Sequence, residues 1–465
     1  MKAIFKASTV KIILTFLVLI CAAPLEILSQ GLKVSPNQRF LVKADGSPFF
    51  YLGDTAWELF HRLNREEADQ YLQNRADKGY TVIQAVVLAE IDGLNDPNPY
   101  GHTPLENNDP TKPKEDYFKH VDYIVNKAAE LGLHIGMLPT WGDKLDKKNW
   151  GVGPEIFNPE NARIYGEFLG KRYGGKNIIW VIGGDRNPEP EHLPVWRAMA
   201  EGVIAGAGGP DKALMTFHPQ PHSEGSSSVW FHQDEWLDFN MFQTGHCNDI
   251  PVYDMLNHDY NLKPTKPTMD GEPIYEDHPV CFNAKEKGHS VPWDIRKAAY
   301  LGLFAGGHGH TYGCHSVWQM YSPKRDGINS PVKYWFESLD LPGATQMTHV
   351  RTLIESRPML DRIPDQSLIT DEGSIFTRIQ ATRGNDYAFI YCATGRPINV
   401  NLEKISGDKV KASWYDPRLG TTKEIGVFDN KGSEIFNPPS LGAHHDWVLI
   451  LDDASKNYQA PKKNW

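Results

Sequence analysis

Between residues 49 and 318 the chain repeats one pattern: a short run of β-branched and other apolar residues, a glycine or polar stop, then a segment with helical spacing. The strand-like runs are FFYLGD, TVIQAVVLAE, HIGMLPTWG, NIIWVIGGD, ALMTFHP, FNMFQTGH, PTMDGE and GHTYGCHSVW. Runs such as TVIQAVVLAE are continuously apolar, as strands of a parallel sheet covered on both faces must be. The segments between them carry helix signals. Asn64 and Glu67 form a capping box ahead of Ala68, Tyr71, Leu72, Arg75 and Ala76. Phe118, Val121, Val125, Ala128 and Leu131 share one helical face, and Asn158-Pro159 supplies a cap followed by a proline in the first turn. Eight such units in about 300 residues predict an α/β fold of the (β/α)8 TIM-barrel type. A doubly wound sheet is disfavoured, because no G-x-G-x-x-G follows the first strand. A β-hairpin turning at Asp45-Gly46 precedes the first barrel strand.

After about residue 365 helical periodicity stops. SIFTRIQAT, DYAFIYCAT, INVNLEKI, KVKASWYDPRLG, TKEIGVF and DWVLILDD read as short alternating strands separated by Gly, Asn and Asp turns, a C-terminal antiparallel β-sandwich. The opening MKAIFKASTVKIILTFLVLICAAPLEILSQ carries Lys2, Lys6 and Lys11 before an apolar core from Ile12 to Ala23 and a small residue, Ser29, at a cleavage point. That is an export signal, too short for the ~20 residues of a membrane span. Ile20 before Cys21 is bulkier than a lipid-attachment site prefers. The expected division is therefore 1–29 signal peptide, 30–365 barrel with its hairpin, and 366–465 sandwich, with export to the periplasm or cell surface. The sandwich is expected to pack directly on the barrel and shield one side of it.

A net charge of -10, with no basic block after the signal, excludes nucleic acid as a partner. Thirteen tryptophans and 11% aromatic residues supply flat faces that suit sugar rings. Cys247, Cys281, Cys314 and Cys392 have no zinc spacing; Cys247 could pair with Cys281 or Cys314 in an oxidising compartment.

Barrel enzymes keep their chemistry where strands end, at the carboxyl-terminal rim. Glu272 ends the seventh strand between Gly271 and Pro273, and Asp185 ends the fourth in IIWVIGGDRN. Two carboxylates facing each other across one barrel mouth are what glycoside cleavage requires, one to protonate the leaving oxygen and one to attack the anomeric carbon or activate water. Other rim groups fit a sugar pocket: Asp54 and Trp57 after the first strand, Glu90 after the second, Trp141 after the third, and His218 after the fifth. Gln243 and His246 follow the sixth, and His308, His310 and Trp318 flank the eighth. Asp54 could instead cap a helix beginning at Thr55. Arg186, with Arg62 or Lys144, could meet substrate carboxylates. His308 and His310 have H-x-H spacing, but metallohydrolase barrels carry that pair on the first strand, where this chain has Gly53-Asp54. No metal or other cofactor is expected.

The stretches YLGDTAWELFHRLNREEADQYLQNRADKGYTVIQ, IIWVIGGDRN, PTMDGEPIYE, WYDPRLG and DWVLIL resemble glycoside hydrolase family 140, the apiosidases of gut Bacteroidetes, whose barrel is followed by a module named for collagen binding. The resemblance covers nearly the whole chain after the signal. It implies a retaining hydrolase that releases apiose-capped side chains from the galacturonan backbone of the pectin rhamnogalacturonan II, with Asp185 as acid/base and Glu272 as nucleophile. Related barrel clans usually show Asn-Glu after the fourth strand, where this chain has Gly184-Asp185. The alternatives are a glycosidase for another furanoside or a uronide, and a carbohydrate-binding surface protein without turnover.

Overall fold

The computed structural model describes residues 31–148, 150–221 and 225–465. The export signal expected over residues 1–29 lies outside them. Among the described residues no helix is long and apolar enough to cross a membrane.

The hairpin is β1 (Leu32–Val34), β2 (Leu41–Lys43) and β3 (Pro48–Phe49), with Gly46 at φ +85° in its turn. Eight parallel strands follow: β4 (Tyr51–Thr55), β5 (Val82–Leu88), β6 (His134–Thr140), β7 (Ile178–Gly183), β8 (Met215–His218), β9 (Asn240–Phe242), β10 (Thr268–Asp270) and β11 (Gly309–Tyr312). Their hydrogen-bonded order is β8-β7-β6-β5-β4-β11-β10-β9. The seam between β8 and β9 is closed by other bonds: Asp238 N–H to Met215 O at 2.9 Å, Thr216 Oγ1 to Phe239 O at 2.7 Å, and Met215 N–H to the Asp238 carboxylate at 2.7 Å. The result is a nearly closed barrel.

Strand alternation sorts each side chain to one of two cores. Val82, Val86, Ile179, Val181, Met241 and Met269 fill the barrel interior with Tyr51 and Phe239. Their neighbours Ile83, Ala85, Val87, Trp180 and Ile182 face outward against the helices. Each fully buried aliphatic contributes about 1.5 to 3 kcal/mol. The helix Arg65–Asp77 starts at the expected capping box, with Glu67 N–H bonded to Asn64 Oδ1 and Asn64 N–H to Glu67 Oε2, both at 2.9 Å.

The second unit begins at β12 (Ile363–Pro364), which pairs with β13 (Ile379–Arg383). With β14 (Tyr387–Cys392), β15 (Ile398–Asn401), β16 (Lys409–Asp416), β17 (Thr421–Asp429), β18 (Ser433–Phe436) and β19 (Trp447–Asp453) it makes a six-stranded antiparallel sheet, β12-β13-β14-β19-β16-β17, and a separate β15-β18 pair. Period-two alternation on β14 decides its packing. Tyr387, Phe389 and Tyr391 join the barrel core, whereas Ala388, Ile390 and Cys392 belong to the sheet unit's own core. The helix Pro292–Phe304 is the barrel's side of this junction. Tyr300 stacks on Tyr391 with centroids 4.9 Å apart, and Arg296 makes a two-pronged bond to Asp446 at 2.8 and 2.7 Å.

Candidate active site

At the carboxyl ends of the barrel strands lies a cavity of about 620 Å³. Asp185 and Glu272 both line it. The sequence around Asp185 explains its placement: Gly183, Gly184 and Asp185 all have positive φ, at 87°, 149° and 49°. Two glycines and an aspartate tolerate that region better than bulkier residues do. Gly184 is also constrained by space, since a Cβ there would lie 2.7 Å from Trp141.

Glu272 is 4% exposed and held from several directions. Tyr275 donates its hydroxyl to Oε1 at 2.5 Å and receives Trp57 Nε1–H at 3.1 Å. His218 Nε2 lies 3.1 Å from Oε2, and His246 Nε2 lies 3.6 Å from Oε1. The backbone is fixed as well: Gln84 Nε2 bonds Gly271 O at 2.9 Å, and Gly245 N–H bonds Glu272 O at 3.1 Å. On its other ring nitrogen, His218 Nδ1 faces Asp185 N–H at 3.5 Å. His218 Nε2 and Glu272 Oε2 face each other without a well-aligned hydrogen bond, each buried with no other partner among the described residues. One imidazole thus lies between the Asp185 backbone amide and the Glu272 carboxylate.

The two carboxyl groups are pushed in opposite directions. Burial and then the charge of Glu272 raise Asp185 to about 7, against the lowering influence of Arg186, His218 and the Trp150 indole. Burial also acts to raise Glu272, but the bonds and charges of His218, His246 and Tyr275 outweigh it and hold the group below its ordinary value. Glu90 lines the same cavity and is raised well above its usual value by burial and by Asp185, Glu58, Asp143 and Glu272. The cavity therefore presents one carboxyl group held low, one poised near neutrality and a third whose charged form is disfavoured.

Trp57, Trp141, Trp318, Gln243 and His246 also line the cavity. Trp141 Nε1 and Gln243 Oε1 are buried without a hydrogen-bond partner among the described residues, as groups awaiting ligand hydroxyls would be. His218 is fully buried behind the two acids.

Three expected site residues lie elsewhere. Asp54 points to the helical layer, neither capping a helix nor entering the cavity. It is 0% exposed and bound to Arg75 Nε at 2.6 Å and Tyr71 Oη at 2.5 Å. His310 shares a strand face with Tyr312, which packs in the helix-side core, so it too is turned from the cavity. Arg186 is 1% exposed and occupied by the carbonyls of Asp146 at 2.8 Å, Lys147 at 3.1 Å and Asp185 at 2.6 Å. The other expected cations are similarly engaged: Lys144 with Ala89 O and Asp143, and Arg62 with Gln319 O. Among the described lining residues there is no lysine or arginine.

Sequence reasoning missed Tyr275, Trp150, His278 and Phe282, all of which line the cavity. Tyr275 had a usable signal, its position three residues after Glu272 and just past Pro273. Trp150 had none, because its loop has no period. A disulfide joins Cys247 to Cys281, linking the loops after β9 and β10; Cys314 and Cys392 are buried free thiols.

Comparison with known proteins agrees with this geometry. The chain matches the family described as "Apiosidase-like, catalytic domain" over residues 35–361. Residues 363–452 match "Putative collagen-binding domain of a collagenase". A solved structure named "Glycoside hydrolase" is 37% identical, with a TM-score of 0.84 over 92% of this chain and 98% of the other. A glycoside hydrolase family 5 structure from Bacteroides vulgatus ATCC 8482 is 35% identical, with a TM-score of 0.85 over 94% of this chain and 95% of the other. No curated protein matches significantly. A match over most of the barrel, with two structural relatives above one-third identity, places the chain in the apiosidase-like family of glycoside hydrolases.

Proposed function

We propose that this glycoside hydrolase acts on plant pectin with retention of configuration, releasing apiose-linked side chains from the galacturonan backbone of rhamnogalacturonan II. Asp185 is the acid/base and Glu272 the nucleophile. The observation that carries the assignment is the pair of carboxyl groups lining one cavity, with His218 between the Asp185 backbone amide and the Glu272 carboxylate and the two proton affinities driven apart.

In the first step a Glu272 oxygen bonds to the anomeric carbon as the bond to the leaving oxygen breaks, and Asp185 gives that oxygen its proton. Glu272 is then an ester, so its charge no longer faces Asp185. In the second step Asp185, now a carboxylate, takes a proton from water while the water oxygen replaces Glu272 on the anomeric carbon. Both carboxyl groups return to their starting states.

The absence of lysine and arginine among the described lining residues supports a neutral sugar at the cleaved position, which apiose is and a uronide is not. The galacturonate carboxylates belong outside that position. Lys147, exposed on the Trp150 loop, offers charge for them. The Cys247–Cys281 bond fits an exported protein, periplasmic or at the cell surface, because oxidising compartments preserve disulfides.

Digestion of rhamnogalacturonan II fragments, with product identification beside Glu272→Gln, tests the reading. Products ending in reducing apiose are expected from the native protein and none from the variant. Release of a different sugar, or equal turnover by the variant, would refute it.

A further inference from the structure

The loop between β6 and the helix Pro159–Tyr173 puts a large aromatic in an unusual place. Trp150 is 45% exposed, yet its indole Nε1–H meets Asp185 Oδ2 at 3.1 Å and its ring lines the cavity. The Arg186 guanidinium lies 4.3 Å from the ring centroid and is itself tied to the carbonyls of Asp146 and Lys147 in the same loop. Asp143 fixes the other side by accepting Val152 N–H at 3.0 Å and Gly153 N–H at 2.9 Å. A buried polar frame therefore holds an exposed tryptophan against the acid.

We propose that Trp150 is a positioning residue for Asp185, its indole N–H occupying Oδ2 so that Oδ1 is the oxygen that carries and delivers the proton. This rests on Asp185 being the acid of the proposed function. Indole N–H can only donate. It therefore binds Oδ2 both when Asp185 is a neutral acid and when it is a carboxylate, more strongly in the second case. The contact tightens as the proton leaves Oδ1 for the glycosidic oxygen, so it favours the transition state over the ground state. No proton moves to or from Trp150.

The test combines spectroscopy with kinetics on the full chain. Indole-¹⁵N-labelled protein is titrated from about pH 4 to pH 9 around the shifted acid, and the Trp150 signal is assigned by its absence in Trp150→Phe. That signal is expected to move with a midpoint near the Asp185 value of about 7 and to stay still in Asp185→Asn. A signal that stays still in the native protein, or moves equally in Asp185→Asn, overturns the inference.

In kinetics, Trp150→Phe keeps a ring over Arg186 but loses the donor. Its kcat on a rhamnogalacturonan II oligosaccharide is expected to fall about tenfold further than on a dinitrophenyl apioside, whose leaving group needs little acid help. Its alkaline limb should move to higher pH, because the lost bond favoured the charged form. Equal losses on the two substrates, or none, overturn the inference. Asp185→Asn run in parallel separates the two levels of the account. Full turnover by that variant sinks the acid assignment itself, whereas an inactive Asp185→Asn beside an unaffected Trp150→Phe sinks only the role given to Trp150.

Discussion

Tyr275 donates its hydroxyl hydrogen to Glu272 Oε1 across 2.5 Å, and Trp57 Nε1–H backs it at 3.1 Å. A carboxylate that accepts such bonds is stabilised in its ionised form, which a nucleophile needs before attack and regains when the ester is hydrolysed. Tyr275→Phe should lower kcat about tenfold, ~1.4 kcal/mol of barrier. It should also raise the Glu272 pKa and so move the acid limb of kcat/KM to higher pH. An unchanged acid limb in a pH–rate profile would show that the bond does not tune Glu272.

Under the proposed mechanism the alkaline side of the same profile belongs to Asp185. Its group is raised to about 7, chiefly by burial and by Glu272, and as the proposed acid it must be protonated to assist departure. Activity on a poor leaving group should therefore fall as pH rises through about 7. Asp185→Asn should cost ~10²- to 10⁴-fold in rate on that substrate and abolish the limb. A profile flat to pH 9 or beyond, an endpoint about two units above the shifted acid, would contradict this assignment.

Asp54 predicts a stability effect rather than a catalytic one. Removing its charge leaves Arg75 buried without its carboxylate partner, a loss of about 3 to 5 kcal/mol for a broken buried pair. Asp54→Asn should show a lowered denaturation midpoint with kcat/KM per folded molecule close to native. A selective fall in kcat with normal stability would return Asp54 to the site.

The Cys247–Cys281 bridge closes a loop with a sequence separation of 34 and ties His246 to the segment bearing Phe282. Cys281 N–H also bonds His246 O at 2.8 Å, and His246 and Phe282 both line the cavity. Cys247→Ser should lose ~2 to 4 kcal/mol of stability. With this rim loosened, KM should rise more than kcat falls, as paired denaturation and steady-state measurements would reveal. Unchanged KM at reduced stability would confine the bridge to a structural role.

The barrel was legible because its strands and helices impose different periods, and because caps such as Asn64 with Glu67 mark where one gives way to the other. Rim positions could be read from strand ends, which located Glu90, Asp185, Gln243 and Glu272. The phase of a strand was harder to read. A parallel strand buried on both faces has no polar alternation, so nothing local distinguishes an inward residue from an outward one. Asp54 and His310 were misplaced for that reason. The fate of Arg186 depends on the Asp146 and Lys147 carbonyls about 40 residues away in sequence, a contact only the folded chain supplies.

Azide rescue of the two carboxyl deletions, with an activated apioside as substrate, separates the roles proposed for Asp185 and Glu272. With azide, Glu272→Ala should form a glycosyl azide of inverted configuration, because azide enters the face the nucleophile vacated. Asp185→Ala should form one of retained configuration, because azide attacks the covalent ester in place of base-assisted water. The same anomer from both variants, or no rescue of either, would contradict the pairing of these residues across one glycosidic bond.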